Sequence, residues 1–189
     1  MTQQGKNAID LVLAESLIEL SAKKPIDKIT IKEITDKAGV IRPTFYNHFQ
    51  DKYELIEWII KTELLEPIKP LLNAGMIFEA IVLMLNNISA NSVFYKKALK
   101  LEGAVTFNQI AMKCVYEMFM NIISEKSTEK KSKYRWLTPE VISTYYAQSL
   151  CFITEGWIAQ GMDDIEPKEM AEAYMYLITR SMDDILSEL

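Results

Sequence analysis

The nine residues IRPTFYNHF, 41 to 49, bring together the chain's only histidine, one of its three arginines and three aromatic rings. Arg42, Thr44, Tyr46, Asn47 and His48 offer hydrogen-bonding groups of the kind that meet phosphate oxygens and base edges, and a guanidinium engages two acceptors at once. Pro43 suits the first turn of a helix, where its missing N–H costs nothing. A helix begun there turns Phe45 and Phe49 to one side and leaves Arg42, Thr44, Tyr46, Asn47 and His48 on or near the other.

Such a division requires a support for the inner face. Just upstream, Thr30 and Glu33 form a capping-box pattern, and Gly39 stands where a helix needs its left-handed C-terminal residue, so a helix of about two turns precedes the stretch. Ile31, Ile34, Ala38, Val40, Phe45 and Phe49 can converge between the two short helices. This is a helix-turn-helix pattern over about residues 30–49, with one face for packing and one for a major groove ~12 Å wide. Ile9, Leu13, Leu17 and Leu20 mark an earlier amphipathic helix over about 6–23, and Asp51 with Glu54 starts a longer one after the pair.

Pro67, Pro70 and the NAG that follows put a domain boundary near residue 66, dividing the chain into 1–66 and 67–189. Five further segments carry apolar residues at three and four spacing, and Pro139 and Pro167 open the last two. The fold class is therefore all-α, with about nine helices: three in a small N-terminal unit, then a longer one and a larger helical part. A polar, lysine-rich loop containing Lys130, Lys131 and Lys133 reads as solvated.

Charge is distributed unevenly. The whole chain of 189 residues carries a formal −5, but residues 21–52 hold seven basic side chains against four acidic ones, a net of +3 that leaves −8 elsewhere. A basic segment on an acidic protein suits local phosphate contact without general stickiness. One histidine excludes a His-rich metal cluster, and no Gly-rich phosphate loop occurs, so no enzyme, metal or cofactor is expected. Cys114 and Cys151 lack metal-ligand spacing and read as small apolar fillers in a reducing cytoplasm. No stretch is long and apolar enough for a membrane helix, and a soluble, cytoplasmic protein is expected.

The stretch ITIKEITDKAGVIRPTFYNHFQDKYELIEWII, Ile29 to Ile60, resembles the DNA-binding domain of TetR-type transcriptional regulators. The turn glycine, the Thr-Phe-Tyr core, the His-Phe pair and the following Asp-Lys stand together at that family's spacing. A narrower resemblance, through TFYNHFQDKYELIEWII, FYKKAL and KSKYRW, is to the branch containing the activator of dihydroxyacetone kinase genes. The resemblance implies a homodimer that binds double-stranded operator DNA through its N-terminal domain and takes an unidentified small-molecule effector in its C-terminal domain. It further implies that Arg42, Pro43 and Thr44 begin the recognition helix, that Tyr46, His48 and Lys52 contact phosphates, and that Thr30 brings its hydroxyl and helix N-terminus to another. Ile41 departs from the pattern, since the family has a small polar cap there; it is expected either to pack on its own domain or to meet a thymine methyl.

The last two helices, roughly 139–161 and 166–187, are apolar over much of their girth and are assigned to a two-fold four-helix interface. Ala147, Gly156 and Ala173 would allow close approach, with Tyr146, Leu150, Trp157, Tyr174, Leu177 and Ile185 supplying area. In the middle helices Phe78, Tyr95, Phe107, Met112, Tyr116 and Phe119 suit an adaptable cavity, with Gln148 or Glu155 as polar anchor. The competing reading is a helical protein-interaction module without DNA binding, which leaves the basic turn-helix unit without a purpose.

Overall fold

Apolar residues at helical spacing turn one face of α1 (Gln3–Lys23) inward, where Leu13, Ala14 and Leu17 are buried. In the computed structural model, which describes residues 3–102, 105–126 and 133–188, this helix backs the two short helices that follow it. A single 3-10 turn (Ile26–Lys28) leads into α2 (Ile31–Ala38). The capping box expected at its start is complete: Thr30 Oγ1 accepts from the Glu33 N–H, and the Glu33 carboxylate accepts from the Thr30 N–H at 2.9 Å. Gly39 ends the helix at φ 70°, the left-handed position expected of it. α3 (Arg42–Tyr46) carries Pro43 in its first turn, and Asp51 Oδ1 caps α4 (Lys52–Ile59) by accepting from the N–H groups of Tyr53 and Glu54.

Beyond Ile59 the same helix widens into a π turn (Ile60–Leu65) before the chain bends at Pro67. The remaining elements are α5 (Lys69–Asn73), α6 (Ile77–Ala90), α7 (Ser92–Ala98), α8 (Phe107–Lys126), α9 (Pro139–Ala159), α10 (Pro167–Thr179) and α11 (Met182–Glu188). α8 packs along α9 and α10 lies against α6, while α1 touches α7 and α4 touches α8, so one continuous core runs through both parts. Cys114 and Cys151 sit unpaired in this core, and burial pushes both thiols up to about 12. The architecture is all-α, as expected.

The described residues form eleven α-helices rather than nine. One addition, α5, is a short turn of helix between Pro67 and Gly75. The other comes from a break in the last expected helix: Arg180 is extended, with φ −104° and ψ 152°, and Ser181 restarts the chain as α11. Ser181 Oγ accepts from the Asp184 N–H at 3.1 Å while the Asp184 carboxylate accepts from the Ser181 N–H at 3.2 Å, a second reciprocal cap. Lys130 and Lys131 lie outside the described residues. No single helix among the described residues is long and apolar enough to cross a membrane.

Candidate nucleic-acid interface

Phe45 and Phe49 set the rotation of α3. Both rings are buried, 5.9 Å apart, and Phe49 meets Trp58 of α4 edge-on at 6.3 Å. Burying each aromatic side chain stabilises this orientation by ~1.5–3 kcal/mol. Arg42, Pro43, Tyr46 and Asn47 are left exposed and Thr44 half-buried. Arg42 Nη2 donates to Tyr46 Oη at 3.3 Å, and its guanidinium carbon lies 5.9 Å from the Tyr46 ring centre, so these side chains, one turn apart, form a single surface unit. Ile41 occupies the N-cap of α3 with no side-chain cap bond and is 69% exposed, which removes the reading that it packs on its own domain.

Three of the residues read as phosphate contacts are already engaged within the protein. The His48 side chain is only 2% exposed, because its Nδ1 lies 2.6 Å from Asp10 Oδ1 of α1; the outer-face position expected for it is corrected to a buried one. Lys52 Nζ donates to the carbonyls of Ile26, Asp27 and Ile29 at 2.9, 2.7 and 3.1 Å, which occupies all three ammonium protons. That position ties α4 to the turn before α2, and burial holds the ammonium below the ordinary lysine value. Thr30 Oγ1 donates to the Glu33 carboxylate at 2.8 Å, so the hydroxyl serves the cap. Glu33 also accepts from Lys24 Nζ at 2.5 Å, and the Lys24 ammonium first, then the Thr30 N–H and hydroxyl, lower its carboxyl from 4.5 to about 2.

Asp10 is the residue that sequence reasoning passes over. Its signal is legible: it stands one turn before Leu13 and Ala14 on the core face of α1, where a lone carboxylate requires a partner. On the exposed side of the same unit, Lys28 and Lys32 add two cations near α2.

In the larger part, a smaller and a larger apolar cavity lie among α6 to α10, beside an open cleft along α7 and the end of α9. Tyr95, Phe107 and Glu155 line the smaller, and Phe119 lines the larger. Phe78, Met112 and Tyr116 are half-buried against the core and line neither, and Gln148 is exposed and lines neither, so it is not an anchor here. The proposed interface residues also divide. Ala147, Leu150, Trp157 and Tyr174 are buried inside the protomer, Trp157 donating from Nε1 to the Ile165 carbonyl at 2.9 Å, so they cannot supply area to a partner. Tyr146, Ala173 and Leu177 remain exposed and Gly156 half-exposed, while Ile185 belongs to α11 beyond the break. Both helices carry apolar residues on two sides, and the chain's own core takes one of them. Phe152, 77% exposed, and Tyr145, 62% exposed, crown the other.

Residues 15–59 match the model of bacterial regulatory proteins of the tetR family, and residues 76–180 match that of a transcriptional regulator C-terminal region. The HTH-type dhaKLM operon transcriptional activator DhaS of Lactococcus lactis subsp. lactis (strain IL1403) is 27% identical over 152 residues, 79% of either chain. Among solved structures, the dihydroxyacetone kinase operon activator DhaS superposes with a TM-score of 0.63 at 22% identity, over 90% of this chain and 93% of that one. NalD, the secondary repressor of the MexAB-OprM multidrug efflux pump in Pseudomonas aeruginosa, superposes with a TM-score of 0.58 at 14% identity, over 91% and 95%. The chain belongs to the tetR family of bacterial regulatory proteins and is a DNA-binding transcriptional regulator, not an enzyme.

Proposed function

We propose that the protein acts as a homodimer on a palindromic operator, reading base edges through Arg42, Pro43 and Thr44 and fixing register through Tyr46 and Asn47. The observation that carries this reading is the division of α3, with Phe45 and Phe49 in the core and the Arg42–Tyr46 pair free on the outside. Arginine suits guanine, whose O6 and N7 it bonds together, while Tyr46 and Asn47 suit phosphate oxygens. Residues 1–66 form the DNA-binding domain and 67–189 the effector and dimer domain, a division supported by the two family matches falling on either side of it. Two recognition helices must reach successive major grooves about 34 Å apart, so the function requires a pair of protomers. Exposed Tyr145 and Phe152 with half-exposed Gly156 on α9, beside Ala173 and Leu177 on α10, supply a face for that pairing. Operator binding makes the cytoplasm its place of work.

A small-molecule effector controls the protein by shifting the population between two arrangements of the DNA-binding domains. Ile60, Leu64 and Leu65 of the π turn wall the smaller cavity, and that turn continues α4 without a break, so a ligand there acts on the helix that packs behind α3. A second link runs between α4 with its π turn and α8: Glu57 accepts from Lys61 at 2.7 Å and from Lys113 at 2.8 Å, and Glu117 accepts from Lys61 at 2.8 Å. Burial works against the Lys61 charge, but the Glu117 and Glu57 carboxylates outweigh it and hold the ammonium above its ordinary value.

The test is fluorescence anisotropy of the full-length protein on DNA from the region upstream of its own reading frame. Saturable binding whose affinity falls steeply with salt is expected, because several phosphates must release counterions. No binding, or binding indifferent to salt, contradicts the reading.

A further inference from the structure

In the small unit α2 and α4 each start from a polar side chain, and α3 does not. Thr30 Oγ1 accepts from the Glu33 N–H ahead of α2, and Asp51 Oδ1 accepts from the N–H groups of Tyr53 and Glu54 ahead of α4. The equivalent place before α3 is held by Ile41, extended at φ −88° and ψ 152°; its carbonyl accepts from the Thr44 N–H at 2.9 Å, and its side chain makes no cap bond.

Ile41 also forgoes packing. Val40 before it lies against the core, while Ile41 is 69% exposed. Arg42 does not cover it, because the guanidinium lies one turn further on, against Tyr46. An exposed isoleucine at an N-cap costs the free protein a cap and wins no burial. Neither capping nor packing within the protomer explains the residue, so its partner lies outside.

Little on DNA suits an isoleucine. It has no donor for a phosphate oxygen, and against a guanine, adenine or cytosine edge it would leave donors or acceptors unpaired. In the major groove only thymine presents an apolar group, the C5-methyl. The residues at the start of a recognition helix are the ones that reach base edges, and Ile41 immediately precedes Arg42. Successive Cα atoms are ~3.8 Å apart and successive base pairs ~3.4 Å, so the base that Ile41 meets lies within about two base pairs of the one that Arg42 meets.

We propose that Ile41 is a specificity-determining residue: in each operator half-site it packs against the C5-methyl of a thymine close to the guanine that Arg42 bonds. The proposal rests on the reading of α3 as the DNA-reading helix and adds a second base to what that helix reads.

The test removes the methyl and keeps every base-pairing group. The upstream fragment is made once with thymidine and once with deoxyuridine in its place, and the full-length protein is titrated on each by fluorescence anisotropy. Burial of one methyl is worth about fourfold in affinity, so a dimer reading two half-sites should prefer the thymidine duplex by about fifteenfold. Ile41→Ser should bind both duplexes alike, near the native protein's affinity for the deoxyuridine duplex, with a thermal midpoint no lower than native. Ile41→Val should keep part of the preference, and it serves if the serine variant does not fold. Single deoxyuridine replacements then locate the thymine, and single 7-deazaguanine replacements, which lack N7, locate the guanine; the two sensitive positions should be neighbours. Equal native affinity for both duplexes, or a preference that survives Ile41→Ser undiminished, overturns the thymine contact while leaving the DNA-reading face in place. Sensitive positions half a helical turn or more apart overturn the joint reading by Ile41 and Arg42. Binding to neither duplex overturns the DNA-reading account itself.

Discussion

Asp10 and His48 meet at 2.6 Å across 38 residues of sequence, both side chains buried, and join α1 to the residue two places after α3. The contact means that α1 supports α3 and the segment after it through a polar pin as well as through Leu13 and Leu17. Removing one partner leaves the other buried and unsatisfied, at ~1–3 kcal/mol. Asp10→Ala should therefore lower the unfolding free energy in urea by about that amount, and Asp10→Asn, which keeps an accepting oxygen, by less. A loss below ~0.5 kcal/mol in Asp10→Ala would show that the pin is not made in solution.

Ile41 stands at an N-cap with no side-chain oxygen and is largely in solvent. Ile41→Ser gives α3 a cap at no cost in packing, and ~0.5–1 kcal/mol of added stability is expected. The thermal midpoint checks this; a clear drop would assign Ile41 a packing role that its exposure does not suggest.

Glu33 carries the acid dependence of the same unit. Its carboxyl is lowered in the folded state to about 2 from 4.5, so its contribution is present above 4.5 and is lost as pH falls toward 2. The urea midpoint of the native protein should decline across that window, and Glu33→Gln should flatten the decline. Parallel curves for the two proteins would contradict the assignment.

The signals that decided the small unit are local. Thr30 with Glu33, Gly39, Pro43 and Asp51 each act within four residues, and each is realised as the sequence pattern implies. His48 and Lys52 differ because their partners are remote: Asp10 on α1, and the carbonyls of Ile26, Asp27 and Ile29. Periodicity identifies a polar residue near a helix's outer side but not a carboxylate waiting behind it. The same limit applies to α9 and α10, where apolar residues on two sides leave open which side the chain itself buries; Ala147, Leu150, Trp157 and Tyr174 went inward and Phe152 outward. The break at Arg180 had a local sign, Ser181 with Asp184, which the long apolar repeat on either side obscures.

Phe152 tests the pairing face. It is 77% exposed, so Phe152→Glu should leave the thermal unfolding of the protomer nearly intact while setting a charge in the middle of an apolar contact. Sedimentation velocity should report a monomer, and operator affinity should fall with it. A variant that still sediments as a dimer would move the interface elsewhere.

The central claim is that the outer face of α3 reads DNA. The direct measurement is operator affinity by fluorescence anisotropy for Arg42→Ala combined with Tyr46→Ala. The base contact of one arginine is worth ~1–3 kcal/mol, and a phosphate contact is lost with it, so a drop of at least about fivefold and a shallower salt dependence are expected, with the dimer and its thermal midpoint unchanged. Native affinity in that folded, dimeric double variant would contradict the account.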